Sequence, residues 1–472
     1  MKTKFFSILV IFSIMLLGLN IGVAFAGAYE TSHITSITYQ NIGSSATTNL
    51  KVKFYASQTD TTPTIITRPN LNPGASTSLF IGGLSLPSGF RGTAIMESDQ
   101  PILATLVQLP QGSATVKNRP LSNGFSGGSV DTLIATVLKN EFGGWYTIFS
   151  IQNVGASDTN VDIKFFNTSA TLVHTISQAI KSGAGYFVDT GNVTALGTSF
   201  NGSVVVESSG GTIISSAMEL ASGTGVGSRA FEGLGSGSQN FFMPSALCNY
   251  PISGGVTNTA YAVQNTSSTT STSVTVLYSN AATETKTIGP GAKGSFNACN
   301  ATGMTSGFLG SAKITSTATD IIAIGKAAGV GLSTAYVGVS SGSSKIALPY
   351  VRWATDTNFY NGSQQRVNLA IQNVGNTTIT GNVLVKYIDR DGNVVGTHTI
   401  TANIAPEAKV NSNATNAGLS EFGVYAGGTQ FGGGVTIEGP AGSELAAIAR
   451  VASYVVSTGL RAGEDYNSMP IP

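Results

Sequence analysis

Three His, two Cys, two Trp and a handful of recurring carboxylates are the side chains of this 472-residue chain most suited to chemistry. His33, His174 and His398 are scattered along the chain and never approach the His-x-x-x-His spacing that sets two imidazoles on one metal. No Gly-x-Ser-x-Gly setting sits near a His and an Asp that would complete a triad. Asp389-Arg390-Asp391-Gly392-Asn393 alternates oxygen-bearing side chains around a glycine, as a calcium loop does. It lacks the distal Glu such a loop needs, so it reads as an Asp-Gly hairpin turn. Glu97, Glu207 and Glu438 fall at matching outward positions of one repeated strand, with Thr315 in the remaining copy, as solubilising residues on a sheet face do. The chain is therefore expected to be no enzyme, with no catalytic, cofactor-binding or metal-binding residues.

Two features remain. Trp145 and Trp353, beside Tyr146 and Tyr350, could stack on sugar rings or plug contacts between domains. Cys248 and Cys299 are expected to form a disulfide if the chain leaves the cytoplasm. Sequons such as Asn201-Gly202-Ser203 and Asn376-Thr377-Thr378 permit glycosylation and require nothing.

Charge excludes other classes. Lys+Arg 24 against Asp+Glu 23 leaves a formal charge of +1, which supplies no basic surface for nucleic acid. Charged residues make up only 10%, the hydrophobic content is 41%, and 58 Gly accompany abundant Ser and Thr, a turn-rich all-β composition able to build cores. Lys2 and Lys4, an apolar run from Ile8 to Leu19 and the small residues of Ala24-Phe25-Ala26 form a secretory leader, residues 1–26. The mature chain, from Gly27, is expected to have no membrane span and to be secreted or held at the cell surface.

The strongest signal is self-similarity. A strand ending in Gln-Asn recurs at Gln40-Asn41, Gln152-Asn153, Gln264-Asn265 and Gln372-Asn373, so the Gln residues are 112, 112 and 108 positions apart. An alternating strand follows each: Leu50/Val52/Phe54, Val161/Ile163/Phe165, Val274/Val276/Tyr278 and Val383/Val385/Tyr387. Period two with polar partners marks one buried face. A turn comes next, Asn72-Pro73-Gly74-Ala75 in its full form and Ala405-Pro406-Glu407-Ala408 in its weakest. Then a Phe-x-Gly strand appears at Phe90/Gly92, Phe200/Gly202, Phe308/Gly310 and Phe431/Gly433. A last strand carries Ile102, Ile213, Ile321 and Leu445. The Asn is read as closing the turn after its strand. Many short strands, about 110 residues to the period, predict four β-sandwiches at 27–122, 123–238, 239–344 and 345–472, set in a row and each with its own core.

This pattern resembles a family of tandem immunoglobulin-like (β-sandwich) repeats in proteins exported to the bacterial cell surface. There a Pro-bearing lead strand and a Gly-Trp-x-Thr stretch precede Ile-Gln-Asn-x-Gly, a Pro-Gly-Ala turn and a Gly-Phe-x-Gly-Ser strand. Gly144-Trp145-Tyr146-Thr147, Gln152-Asn153 and Phe200-Asn201-Gly202-Ser203 give the fullest match. Copy three departs at Ser267 and copy four lacks Pro-Gly. The resemblance implies architecture and location, not activity.

Later copies open with a lead strand, Phe242-Met243-Pro244 or Ala347-Leu348-Pro349, whereas the first begins at Gly27-Ala28-Tyr29-Glu30 without one. Met469, Pro470 and Ile471 at the C-terminus look like an orphan lead strand. One copy's tail is thus expected to complete the next copy's first domain, giving filaments or a surface layer. The expected role is non-enzymatic and structural, with copies of itself as partner. The alternative is an adhesin binding surface glycans.

Overall fold

The computed structural model describes residues 26–471 apart from 88, 114, 253–254, 355–362, 426–429 and 456–460. Residues 1–25, which hold the expected leader apart from Ala26 and include Lys2 and Lys4, lie outside the described residues. The chain is all-β and built of antiparallel sheets. Among the described residues the only helical elements are 3-10 turns of three or four residues, and no helix is long and apolar enough to cross a membrane.

Each period forms two facing sheets. In the second unit one sheet runs in the order Leu172–Ile180, Thr159–Asn167, Phe200–Ser208, Asp131–Lys139. The other runs Gly185–Asp189, Trp145–Asn153, Ile213–Ala221, Ser228–Glu232. Alternation produces this directly: Val161, Ile163 and Phe165 are buried while Asn160 and Asp162 are exposed. The inward residues then meet Ile151, Phe149 and Ala217 from the facing sheet. Third and fourth units repeat the order, and Asn240–Cys248 and Lys345–Leu348 take the place of Asp131–Lys139 as lead strands.

One aromatic pair recurs edge-to-face in every unit: Phe54–Phe90, Phe165–Phe200, Tyr278–Phe308 and Tyr387–Phe422. The last pair corrects the sequence reading. Phe422, not Phe431, supplies the core ring of the fourth unit, and Phe431 is exposed. The ring still covers Gly433, as Phe200 covers Gly202, so it reaches the same place from further back in the chain. Cys248, ending a lead strand, is disulfide-bonded to Cys299 beside the facing sheet, with Cα atoms 5.0 Å apart. Closing that 51-residue separation stabilises the fold by about 4 kcal/mol in the chain-entropy account.

The units are not separate bodies in a row. The cores of the second and third run together as one apolar cluster, from Leu133 to Val337, which also takes in Ile448 of the fourth. The first and last units also touch: Gly433 N–H donates to Ser76 Oγ at 2.5 Å, across 357 positions of sequence. The four therefore close into a ring.

The tail also departs from expectation. Met469 and Pro470 pair antiparallel with Ala347 and Ile346 of their own unit's lead strand, and Ile471 N–H donates to Lys345 O. Bridges Leu133–Leu234 and Phe242–Val339 put the segment after the final strands of the second and third units in the same position. The tail follows that common return path, and its Met-Pro likeness to Met243-Pro244 marks no lead strand.

Candidate functional site

The repeated polar residues converge on the joints between units. Asn153 acts within its own unit: its Nδ2 donates to Ser157 O and Ile180 O, and its Oδ1 accepts from Gly155 N–H. Asn41, Asn265 and Asn373 repeat this turn-closing set. Gln has the other duty. Gln152 Nε2 donates to Gly183 O of its own turn at 2.9 Å and reaches toward Ala94 O of the preceding unit at 3.4 Å. Gln264 and Gln372 reach Val204 O and Ala312 O in the same way.

A hydroxyl completes each joint. Thr93, Ser203 and Ser311, one residue past the Gly of Phe-x-Gly, donate to Gly183 O, Gly291 O and Glu407 O of the following unit. Each carbonyl belongs to the Pro-Gly-Ala turn or its relic, so turn and Phe-x-Gly strand recur because they are partners. Glu407 stands where Gly would, with φ +66°, a left-handed conformation costly for a side chain. Its carboxylate bridges to Lys313 across the joint at 3.1 Å, which offsets part of that strain.

The closing joint has no such hydroxyl. Gly434 occupies the Ser203 position, and a Cβ there would lie 2.8 Å from Gln40 Oε1 and 2.9 Å from Leu348 O. The Asp389–Asn393 turn abuts the first unit's Pro73, so close that a Cβ on Gly392 would sit 2.3 Å from Pro73 O. Asp389 Oδ1 accepts from the N–H groups of Asp391 and Asn393, the bonding of a turn.

At the centre, the final strands Leu121–Asn123, Ser228–Glu232, Leu332–Val337 and Arg461–Asn467 pack around one another. Asn118 Nδ2 donates to Ser228 O and Ser333 O, joining three units at one amide. Asn467 exchanges two bonds with the Val337 backbone, and its own carbonyl accepts from Asn123 Nδ2. Asn123 N–H donates to Glu232 and Arg119 N–H to Glu464.

Charge is concentrated here too. Glu219, fully buried, bridges Arg229 of its own unit at 2.6 Å and Lys326 of the third at 2.7 Å. Burial opposes its ionisation, but Lys326 and Arg229 outweigh burial and hold the carboxyl below its ordinary range. Lys326 and nearby Lys293 are pushed down by burial, against the pull of Glu219. Glu464 is raised to about 8 by burial, which the neighbouring Arg119 only partly offsets.

The other sequence candidates do not gather at one place, though Trp145 meets the buried charges through Arg229. Trp145 lies under the Arg229 guanidinium at 4.3 Å and Trp353 under that of Arg366 at 5.4 Å. Both indoles are half-buried with one face engaged by arginine. His174 stacks on Phe165, and His398 Nδ1 bonds Ser412 Oγ. Burial lowers the pKa of His33. Glu97, Glu207 and Glu438 each pair with a Lys of the adjacent strand: Lys53, Lys164 and Lys386. Among the described residues no three His, Cys, Asp or Glu side chains come together as metal ligands would. Sequence reasoning missed the Gln joint, whose only signal was a Gln repeated as faithfully as its Asn, and the buried charges, which do not recur. No family model matches the chain, and no curated protein matches it.

Proposed function

We propose that this chain is an exported, non-enzymatic structural protein, a prebuilt four-unit block that associates with copies of itself at the cell exterior. The observation that carries this reading is the use of the repeated polar residues: Gln152, Ser203 and their equivalents hold unit to unit instead of lining a cleft. The Cys248–Cys299 bond fits an oxidising compartment and the leader read from residues 1–26. Ring closure and a tail paired within its own unit favour a discrete particle over head-to-tail growth.

Expression with the leader in a bacterial host tests the reading. Expected is protein at the cell surface or in the medium, beginning at Gly27 and with Cys248 and Cys299 bonded. Recovery from the cytoplasm with the leader attached and both thiols free would overturn it.

A further inference from the structure

In three units the Phe-x-Gly strand lies between two neighbours, the alternating strand and the lead strand. In the first, Thr93–Ser98 has, among the described residues, only Leu50–Tyr55 beside it. The inward residues register the difference. Val204/Val206, Ala312/Ile314 and Val435/Ile437 are 0–2% exposed, whereas Ala94 and Met96 are only half-buried. Phe90, Ile81 and Leu84 pack half-buried against the same core.

The repeat explains the gap. The 112-residue offset between Gln40 and Gln152 sets the equivalent of Asp131–Lys139 on residues 19–27. Of these, Gly27 lies against Ser222, and Ala28 N–H donates to Gly225 O, both in the second unit. Cleavage after Ala26 would remove the remainder. The tail is paired within its own unit, and among the described residues no other strand pairs with this edge.

We infer that Thr93–Ser98 is a self-recognition strand, pairing antiparallel with the same strand of a second copy about a two-fold axis at Ile95. This register sets Ile95 opposite Ile95, Ala94 opposite Met96 and Thr93 opposite Glu97. Faces match, small lies beside large on the core side, and the single carboxylate meets a neutral hydroxyl. A one-residue slip would oppose inward to outward side chains. A centre at Met96 would set Glu97 against Ile95. A strand fits at such an edge, because the second unit's lead strand runs along the equivalent one from Glu207 to Phe200, past the joint to the third unit. The contact is isologous and closes at two copies. It deepens the self-association reading and rests on it.

Sedimentation of the mature chain, residues 27–472, at micromolar concentration tests this. Expected is a dimer that Ile95→Lys weakens by about tenfold or more, with an unchanged circular-dichroism melt. A mixture of Ile95→Lys and Ile95→Glu should restore association. The control Ile65→Lys, on the sheet's opposite edge, should not affect it. A dimer indifferent to Ile95→Lys would sink the assigned edge and leave self-association standing. A monomer that binds a synthetic peptide of residues 131–139 would replace the second copy by a foreign strand. A monomer that binds nothing would overturn both this inference and self-association.

Discussion

The three serial joints and the closing joint do the same work with different parts. Between consecutive units a hydroxyl from Thr93, Ser203 or Ser311 meets a turn carbonyl, supported by the Gln of the following unit. Between the last unit and the first, Gly434 removes the hydroxyl, and Ser76 accepts from the Gly433 backbone instead. The serial joints link units already tethered by a short connection, so their partners meet at small entropic cost. The closing joint brings together Ser76 and Gly433 across most of the chain, and each doubling of loop length adds only about 0.6 kcal/mol. Close backbone approach, reinforced by the hub of final strands, is enough to hold it.

That contrast can be broken at the hub first. Glu219→Ala leaves Arg229, Lys326 and Lys293 buried without their counter-charge, and should cost about 3–5 kcal/mol by denaturant unfolding. A double change of Glu219 and Lys326 to Met should cost much less than the sum of the singles. Next comes the closing joint. Gly434→Ser restores the residue type of the other joints, yet it should destabilise by about 1–3 kcal/mol because its Cβ meets Gln40 and the Leu348 carbonyl. A stabilising Gly434→Ser would show that the closing joint copies the serial ones after all. Ser203→Ala should cost about 1 kcal/mol, since Gln264 still donates to Gly291 O.

A separate effect lies in pH dependence. Burial raises Glu464, so the folded chain keeps a proton that the unfolded chain releases near the usual Glu value. The stabilisation is whole below that value and is lost as pH rises through about 8. Glu464→Gln, which cannot ionise, should match the parent near pH 5 and melt a few degrees higher near pH 9. Equal melting at both would show Glu464 ionised in the fold.

The sandwich was legible because alternation depends on local neighbours: Val161, Ile163 and Phe165 announce a buried face whatever surrounds them. The disulfide and the open edge that the described residues leave in the first unit were legible for related reasons, being a pair of cysteines and a break in a period. Ring closure was not. Glu219 has Ala327 and Val451 at the matching ladder positions of later units, so comparing copies cannot single it out. Phe422 was missed because a ring can reach the same pocket from a different distance along the chain. Gln152 was visible, but its second acceptor is the backbone of Ala94 in another unit, and no residue pattern marks a carbonyl.

Small-angle X-ray scattering of the mature chain carrying Ile95→Lys, which keeps it monomeric, tests ring closure most directly. A closed body of about 446 residues should give a radius of gyration near 22 Å, on the compact-domain relation. A value about twice that, the signature of four units strung in a row, would contradict the account.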